Sequence, residues 1–237
     1  MLDIAGGTVN YVIYRDGSPD FVHQVLDILR AYNGDTGRQV KLVNTEWLPS
    51  CKSKVPFGQP GVPMDFDWGR ERITNDYTHT FGFFQVRWFY ALNGAARILD
   101  YMSYGGEFAS ANFNNCCNTW GQNIVNASKE RAWLSCAGEM FKLFGDYFVE
   151  GVPVNYDSGV QGVSVQGLTG AEERFFVVNN TPDPVEVAVD GAWQGEILCA
   201  PDQLSRITQE ENPVVRRPAT AHDSVQVPAW GIAALKR

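Results

Sequence analysis

The sequence predicts an α/β region followed by an all-β one, with the boundary near residue 148. Three observations predict it. Up to about Tyr147, short apolar runs alternate with segments whose apolar residues recur every three or four positions. The first two strand-like runs flank a helical segment, which makes a βαβ unit and hence a parallel pair with a right-handed crossover. From about Val149 helical periodicity disappears. Short alternations then recur between Gly, Pro, Asn and Asp, the mark of an antiparallel β-sandwich. Domains are therefore expected at 1–148 and 149–237.

The elements follow in order. The run 8–14 reads as a strand, Asp16-Gly17-Ser18-Pro19 as a turn, and Asp20 as the N-cap of an amphipathic helix. That helix carries Phe21, Val25, Leu26, Ile28 and Leu29 as its apolar positions, and Asn33-Gly34 and Thr36-Gly37 end it. The run from Val40 to Trp47 is alternating and rich in β-branched residues, so it reads as a buried strand. It stops on Glu46 and Trp47, just before Pro49. An acid at the C-terminal end of a strand is how (β/α)-barrel enzymes place catalytic groups, because the loops above the strands form the site. The segment from Pro49 to Gly69 is too long for a plain connector. It contains Asp65-Phe66-Asp67-Trp68, an acid pair beside aromatic rings that reads first as a solvated loop. A long helix is expected from about Glu71 to Met102, with Phe81, Phe84, Trp88, Ala91, Leu92, Ala95, Ile98 and Leu99 on one face. Tyr104-Gly105-Gly106 closes it, 108–113 forms a short strand, 114–123 a polar loop, and a last helix lies near Trp133 to Phe148. Sandwich strands are expected at 162–165, 174–178, 185–189 and 225–228. A first region with only about three βα units is either a small open sheet or the last three-eighths of a (β/α)8 barrel, which typically takes about 250 residues.

Composition excludes several classes of function. The formal net charge of −8 argues against nucleic acid or an anionic membrane surface as a partner. No apolar stretch has the length of a transmembrane helix. The first residues lack a basic segment followed by an apolar one, so a secretory signal is not expected and a cytoplasmic location is favoured over a secreted one. The cysteines at 51, 116, 117, 136 and 199 and the histidines at 23, 79 and 222 show no metal-ligand spacing, and no metal or cofactor is expected. Adjacent Cys116 and Cys117 could be a redox pair; two buried thiols are the plainer reading. His23 and His79 sit within helical patterns, as surface or core residues rather than ligands.

Three segments carry a family resemblance. Lys41-Leu42-Val43-Asn44-Thr45-Glu46-Trp47 resembles the nucleophile strand of α-L-arabinofuranosidases of glycoside hydrolase family 51, where an apolar strand ends in an acid followed by Trp. The run 112–123, ending in Thr119-Trp120-Gly121-Gln122-Asn123, looks like that family's last barrel strand and the loop after it. The tail from Val225 to Leu235 is similar to the closing strand of the β-sandwich that follows the barrel. The resemblance implies the C-terminal part of a (β/α)8 TIM barrel followed by an antiparallel β-sandwich, and an enzyme that hydrolyses terminal arabinofuranosyl linkages with retention.

Such chemistry needs two carboxyl groups about 5–5.5 Å apart, one attacking the anomeric carbon and one protonating the leaving oxygen. The resemblance makes Glu46 the nucleophile. Tyr14, at the end of the preceding strand, could donate a hydrogen bond that orients Glu46 and keeps it anionic, and Asn10 is a second candidate. Trp47 and Trp120 would offer apolar faces to a furanose ring, and Gln122 and Asn123 would offer amides to its hydroxyls. Each has a plainer reading: Glu46 a salt-bridged residue, Tyr14 a barrel residue, Trp120 core, Gln122 and Asn123 turn formers. The family's general acid follows an Asn on an earlier strand, and no Asn-Glu dipeptide occurs in this sequence. The acid/base is thus expected on an upstream segment outside the chain, with the missing N-terminal part of the barrel or a second copy as partner. The expected ligand is an arabinose-containing oligosaccharide or polysaccharide. The alternatives are another glycosidase of the same clan, a xylosidase or endoglucanase, or a non-catalytic carbohydrate-binding accessory protein.

Overall fold

The computed structural model describes residues 9–14, 19–47, 87–113, 116–117 and 123–237. Strands β1 (Val9–Tyr14), β2 (Gln39–Trp47) and β3 (Phe108–Phe113) form a parallel sheet in the order β1-β2-β3. Helix α1 (Pro19–Thr36) joins the first two strands and buries Val22, Leu26 and Leu29 against Val40 and Leu42 of β2. Ile28, expected on that stripe, is 68% exposed. It lies two residues from Leu26, about 200° around the helix, and so on the opposite side. The helix runs through Asn33-Gly34 because the Asn33 side chain is bound to the next strand. Its Nδ2 donates to Val40 O and its Oδ1 accepts from Val40 N. Gly37, at φ 67°, makes the left-handed turn into β2.

Of the long helix, α2 (Trp88–Ser103) is described; the residues before it, like the loop from Pro49 to Gly69, fall outside the described residues. Its first N–H groups are satisfied by the loop at 203–205, from Trp88 N to Ser205 O and from Phe89 N to Gln203 O. The segment at Trp133-Leu134, expected in the last helix, is instead strand β5 (Ala132–Leu134), paired with β4 (Val125–Ala127). Helix α3 (Cys136–Tyr147) begins only after Ser135, whose Oγ accepts from Gly138 N and fixes the start. Gly138 is required there. A Cβ would stand 2.2 Å from the Ile124 carbonyl oxygen.

The remaining strands are antiparallel. A six-stranded sheet runs β11 (Val215–Ala221), β10 (Trp193–Cys199), β13 (Gly231–Lys236), β8 (Arg174–Asn179), β7 (Val163–Thr169), β6 (Val152–Asn155). A two-stranded ribbon pairs β9 (Val185–Ala188) with β12 (Ser224–Val227). The two faces of the large sheet enter different cores. Phe176, Val178, Ile232 and Ala234 pack on α2 and α3, whereas Phe175, Val177, Ala233 and Leu235 pack toward β9 and β12. This is why β8 and β13 read as unbroken apolar runs instead of alternating ones: both faces are covered. Helices α2 and α3 are thus a middle layer, with the parallel sheet on one side and the six-stranded sheet on the other.

The layering can be tested at its centre and at its rim. Phe176 is fully buried and its ring stacks on Phe144 of α3, with centroids 5.3 Å apart. Phe176→Ala should cost about 3–5 kcal/mol in urea unfolding, and tryptophan fluorescence and helical circular dichroism should lose stability together. At the rim, Arg216 joins Asp146 of α3 (2.6 Å) and Glu196 of β10. The hydrogen bond from Arg216 holds the Glu196 carboxyl below the usual carboxylate range. A lowered folded pKa stabilises above the unfolded pKa and is lost as pH falls through the folded value. Arg216→Ala should therefore cost about 0.5–1 kcal/mol at pH 7, and thermal scans should show that difference shrinking below about pH 4.

Candidate functional site

Because β1, β2 and β3 are parallel, Tyr14, Trp47 and Phe113 end on one edge of the sheet. On β1, Tyr14 is in register with Asn44 and Asn10 with Val40. Glu46 therefore stands at the C-terminal edge, two residues beyond the position facing Tyr14. Its direction is set by an irregularity in β2. From Asn44 to Trp47 the strand advances three residues while its partner advances two, from Ala111 to Phe113. The extra residue is a β-bulge.

The bulge changes the alternation of the strand. Val40, Leu42 and Asn44 face the helices. In a regular strand Trp47 would face away from them. Instead its ring is 3% exposed and packs edge-on to Tyr101 of α2 and Phe113 of β3 at 5.4 and 5.2 Å, with Phe141 of α3 at 6.2 Å. Thr45 and Glu46 lie between two helix-facing residues. Thr45 is exposed and Glu46 half-buried. The bulge is held by Asn44, which is fully buried. Its Oδ1 accepts the Glu46 N–H at 3.1 Å and its Nδ2 donates to the Tyr101 hydroxyl at 3.0 Å.

Asn44 and Tyr101 are the residues that the sequence reasoning missed. The signal was present: a polar residue at the parity of Val40 and Leu42, two positions before the acid, needs a buried partner.

The other expected site residues are distributed differently. Trp47 packs in the core against Tyr101, Phe113 and Phe141 and also borders a cavity along β3. Asn123 is 1% exposed, and its Nδ2 donates to Val125 O (2.9 Å) and Asn126 Oδ1 (2.6 Å). Trp120 and Gln122 fall outside the described residues, as do Asp65, Asp67 and Trp68; of Tyr14 and Asn10 only the backbone is described. Cys116 and Cys117, expected as buried thiols, are exposed. Among the described residues no group of three or more His, Cys, Asp and Glu has the arrangement of a metal site, and no helix is long and apolar enough to cross a membrane.

A cavity of about 770 Å³ lies along β3, lined on the β2 side by Lys41 and Trp47. Four consecutive residues, Phe108, Ala109, Ser110 and Ala111, line it, together with Tyr101, Phe141, Phe144 and Phe148. Consecutive residues point to opposite faces, so a cavity touching all four wraps around a strand edge. Among the described residues β3 pairs only with β2. Phe148 at the rim is 56% exposed.

The sequence matches no family model and no curated protein. The fold, by contrast, matches solved structures. A family 51 arabinofuranosidase from Xanthomonas axonopodis pv. citri is similar with a TM-score of 0.65 at 19% identity, over 92% of this chain and 45% of that one. A family 51 α-L-arabinofuranosidase from Bifidobacterium longum gives 0.60 at 12% identity, over 97% of this chain and 52% of that one. The α-L-arabinofuranosidase from Thermotoga maritima, solved as an arabinose complex, gives 0.55 at 12% identity, over 96% and 52%. At these identities the likeness is one of fold. The chain spans about half the length of the structures it matches, which fits a C-terminal portion.

The bulge gives a direct expectation. Asn44→Ala leaves the Glu46 N–H and the Tyr101 hydroxyl without this partner and should cost about 1–3 kcal/mol in urea unfolding, with Tyr101→Phe nearer about 1 kcal/mol. Equal effects, or none, would show that Asn44 does not hold the bulge.

Proposed function

We propose that this chain is the C-terminal portion of a retaining glycosidase of the family 51 arabinofuranosidase type, acting on terminal arabinofuranosyl linkages. In this reading β1 to β3 are the last strands of a (β/α)8 barrel, and the six-stranded sheet with the β9–β12 ribbon is the β-sandwich that follows it, divided near residue 148. The observation that carries the reading is the bulge at the end of β2. It gives the helix-facing position to Trp47 and leaves Glu46, half-buried, at the C-terminal edge of the strand. This supports a place for its carboxylate on the face that a closed barrel would make its interior.

Glu46 is then the nucleophile, attacking the anomeric carbon to give a glycosyl-enzyme that water hydrolyses. Tyr14 acts beside it as a hydrogen-bond donor that keeps the carboxylate ionised. Asn10, Trp120, Gln122 and Asn123 supply the polar and aromatic lining, Asn123 by closing its loop. The acid/base belongs to an upstream barrel segment, since the Asn-Glu dipeptide is missing. The edge of β3 suits that partner. A parallel edge that no described residue pairs, beside an apolar cavity, is a surface that proteins normally cover.

The missing dipeptide also favours a second reading, an accessory protein that binds sugar without turnover. One experiment separates the two. The chain is expressed with the upstream barrel segment, and hydrolysis of an aryl α-L-arabinofuranoside is followed. Turnover should appear and fall at least about 10³-fold in Glu46→Gln. Near-normal turnover in that variant would overturn the nucleophile assignment, and sugar binding with no turnover would select the accessory reading.

A further inference from the structure

We propose that Cys116 and Cys117 form a reversible dithiol–disulfide site, closed by a hydroperoxide, at the base of the loop between β3 and β4. The site does not rest on the glycosidase reading, although the segment it anchors carries Trp120, Gln122 and Asn123. Both thiols are exposed, whereas Cys136 is buried and its thiol is pushed up to about 12 by that burial. Among these three, reagents in solution reach the adjacent pair first.

The backbone of the pair anchors the loop. The Cys116 carbonyl accepts from Ile124 N (3.1 Å) and Val125 N (2.9 Å), and Cys117 forms a parallel bridge to Val125. Ile124 O in turn accepts from Ser135 N at the cap of α3. The two cysteines thus pin one end of the loop to the start of a core helix.

Neighbouring Cα atoms are about 3.8 Å apart, closer than the roughly 4.4–6.8 Å of an ordinary disulfide. A ring closed across this peptide is therefore strained, and a strained, exposed disulfide is easily reduced again. In the reaction one thiolate attacks a peroxide oxygen, giving a sulfenic acid and hydroxide. The second thiolate then displaces hydroxide from that sulfur. Two thiols lose two electrons and two protons, and one hydrogen peroxide becomes two waters. Ring closure turns the Cys116 carbonyl and loosens its bonds to Ile124 and Val125.

The test uses the full chain. One equivalent of hydrogen peroxide should remove about 2 Da from the peptide holding both cysteines, reversibly with dithiothreitol. Amide exchange at Ile124 and Val125 should quicken at least about tenfold. Cys116→Ser and Cys117→Ser should each abolish the mass loss and the faster exchange. Phenylarsine oxide, which releases one water on binding two thiols, should add once to the wild type and not to either variant. Sulfinic acid or chain-to-chain disulfides in the wild type, arsenical uptake by the single variants, or unchanged exchange at Ile124 and Val125 would overturn the proposal.

Discussion

Asn44 and Trp47 both face the helices although three positions separate them. A regular strand alternates its side chains with a period of two and cannot satisfy both. The strand takes one extra residue, and Asn44 supplies the acceptor that the displaced Glu46 N–H needs. The geometry of the sheet's C-terminal edge follows from this. Trp47 is free to enter the ring cluster of Tyr101, Phe113 and Phe141, and Glu46 is kept out of it. Burying a carboxylate among aromatic rings would be costly without a cation beside it. The bulge avoids that cost by giving the core position to the indole.

The helix layer carries the consequence across the molecule. Tyr101 accepts from Asn44 on one side of α2, while Trp88 at the other end donates its Nε1 proton to Trp230 O, just before β13 of the six-stranded sheet. The same helix thus touches the bulge and the antiparallel half. The sheet it rests on is buried on both faces, so the C-terminal strands are the well-covered part of the chain. Among the described residues the parallel sheet has its helices on one side, and β3 keeps an edge that none of them pairs. The structural matches, for their part, cover nearly all of this chain but about half of theirs.

Periodicity made much of this legible. The parity of Val40 and Leu42 marks the buried face of β2, and the steps from Trp88 to Leu99 mark that of α2. Unbroken apolar runs at 175–178 and 232–235 announce a sheet covered twice. Other features depend on tertiary contacts that a sequence does not display. Trp133 has the apolar character of a helix position, yet the Ser135 cap excludes it from α3 and β4 pairs with it. Ile28 matches the composition of the α1 stripe but not its angle. In the candidate site, Glu46 was visible as an acid ending a strand, whereas its orientation was not. A bulge is one residue of register, and only the partner strand defines it.

If the bulge presents Glu46 as the attacking carboxylate of a retaining site, that carboxylate can be trapped. The most direct measurement is peptide mapping after the chain, completed by its upstream barrel segment, meets an activated 2-deoxy-2-fluoro-arabinofuranoside, which forms the glycosyl-enzyme but slows its hydrolysis. One sugar adduct is expected, on Glu46. An adduct on another carboxylate, or turnover of the parent sugar with no trapped intermediate, would contradict the assignment.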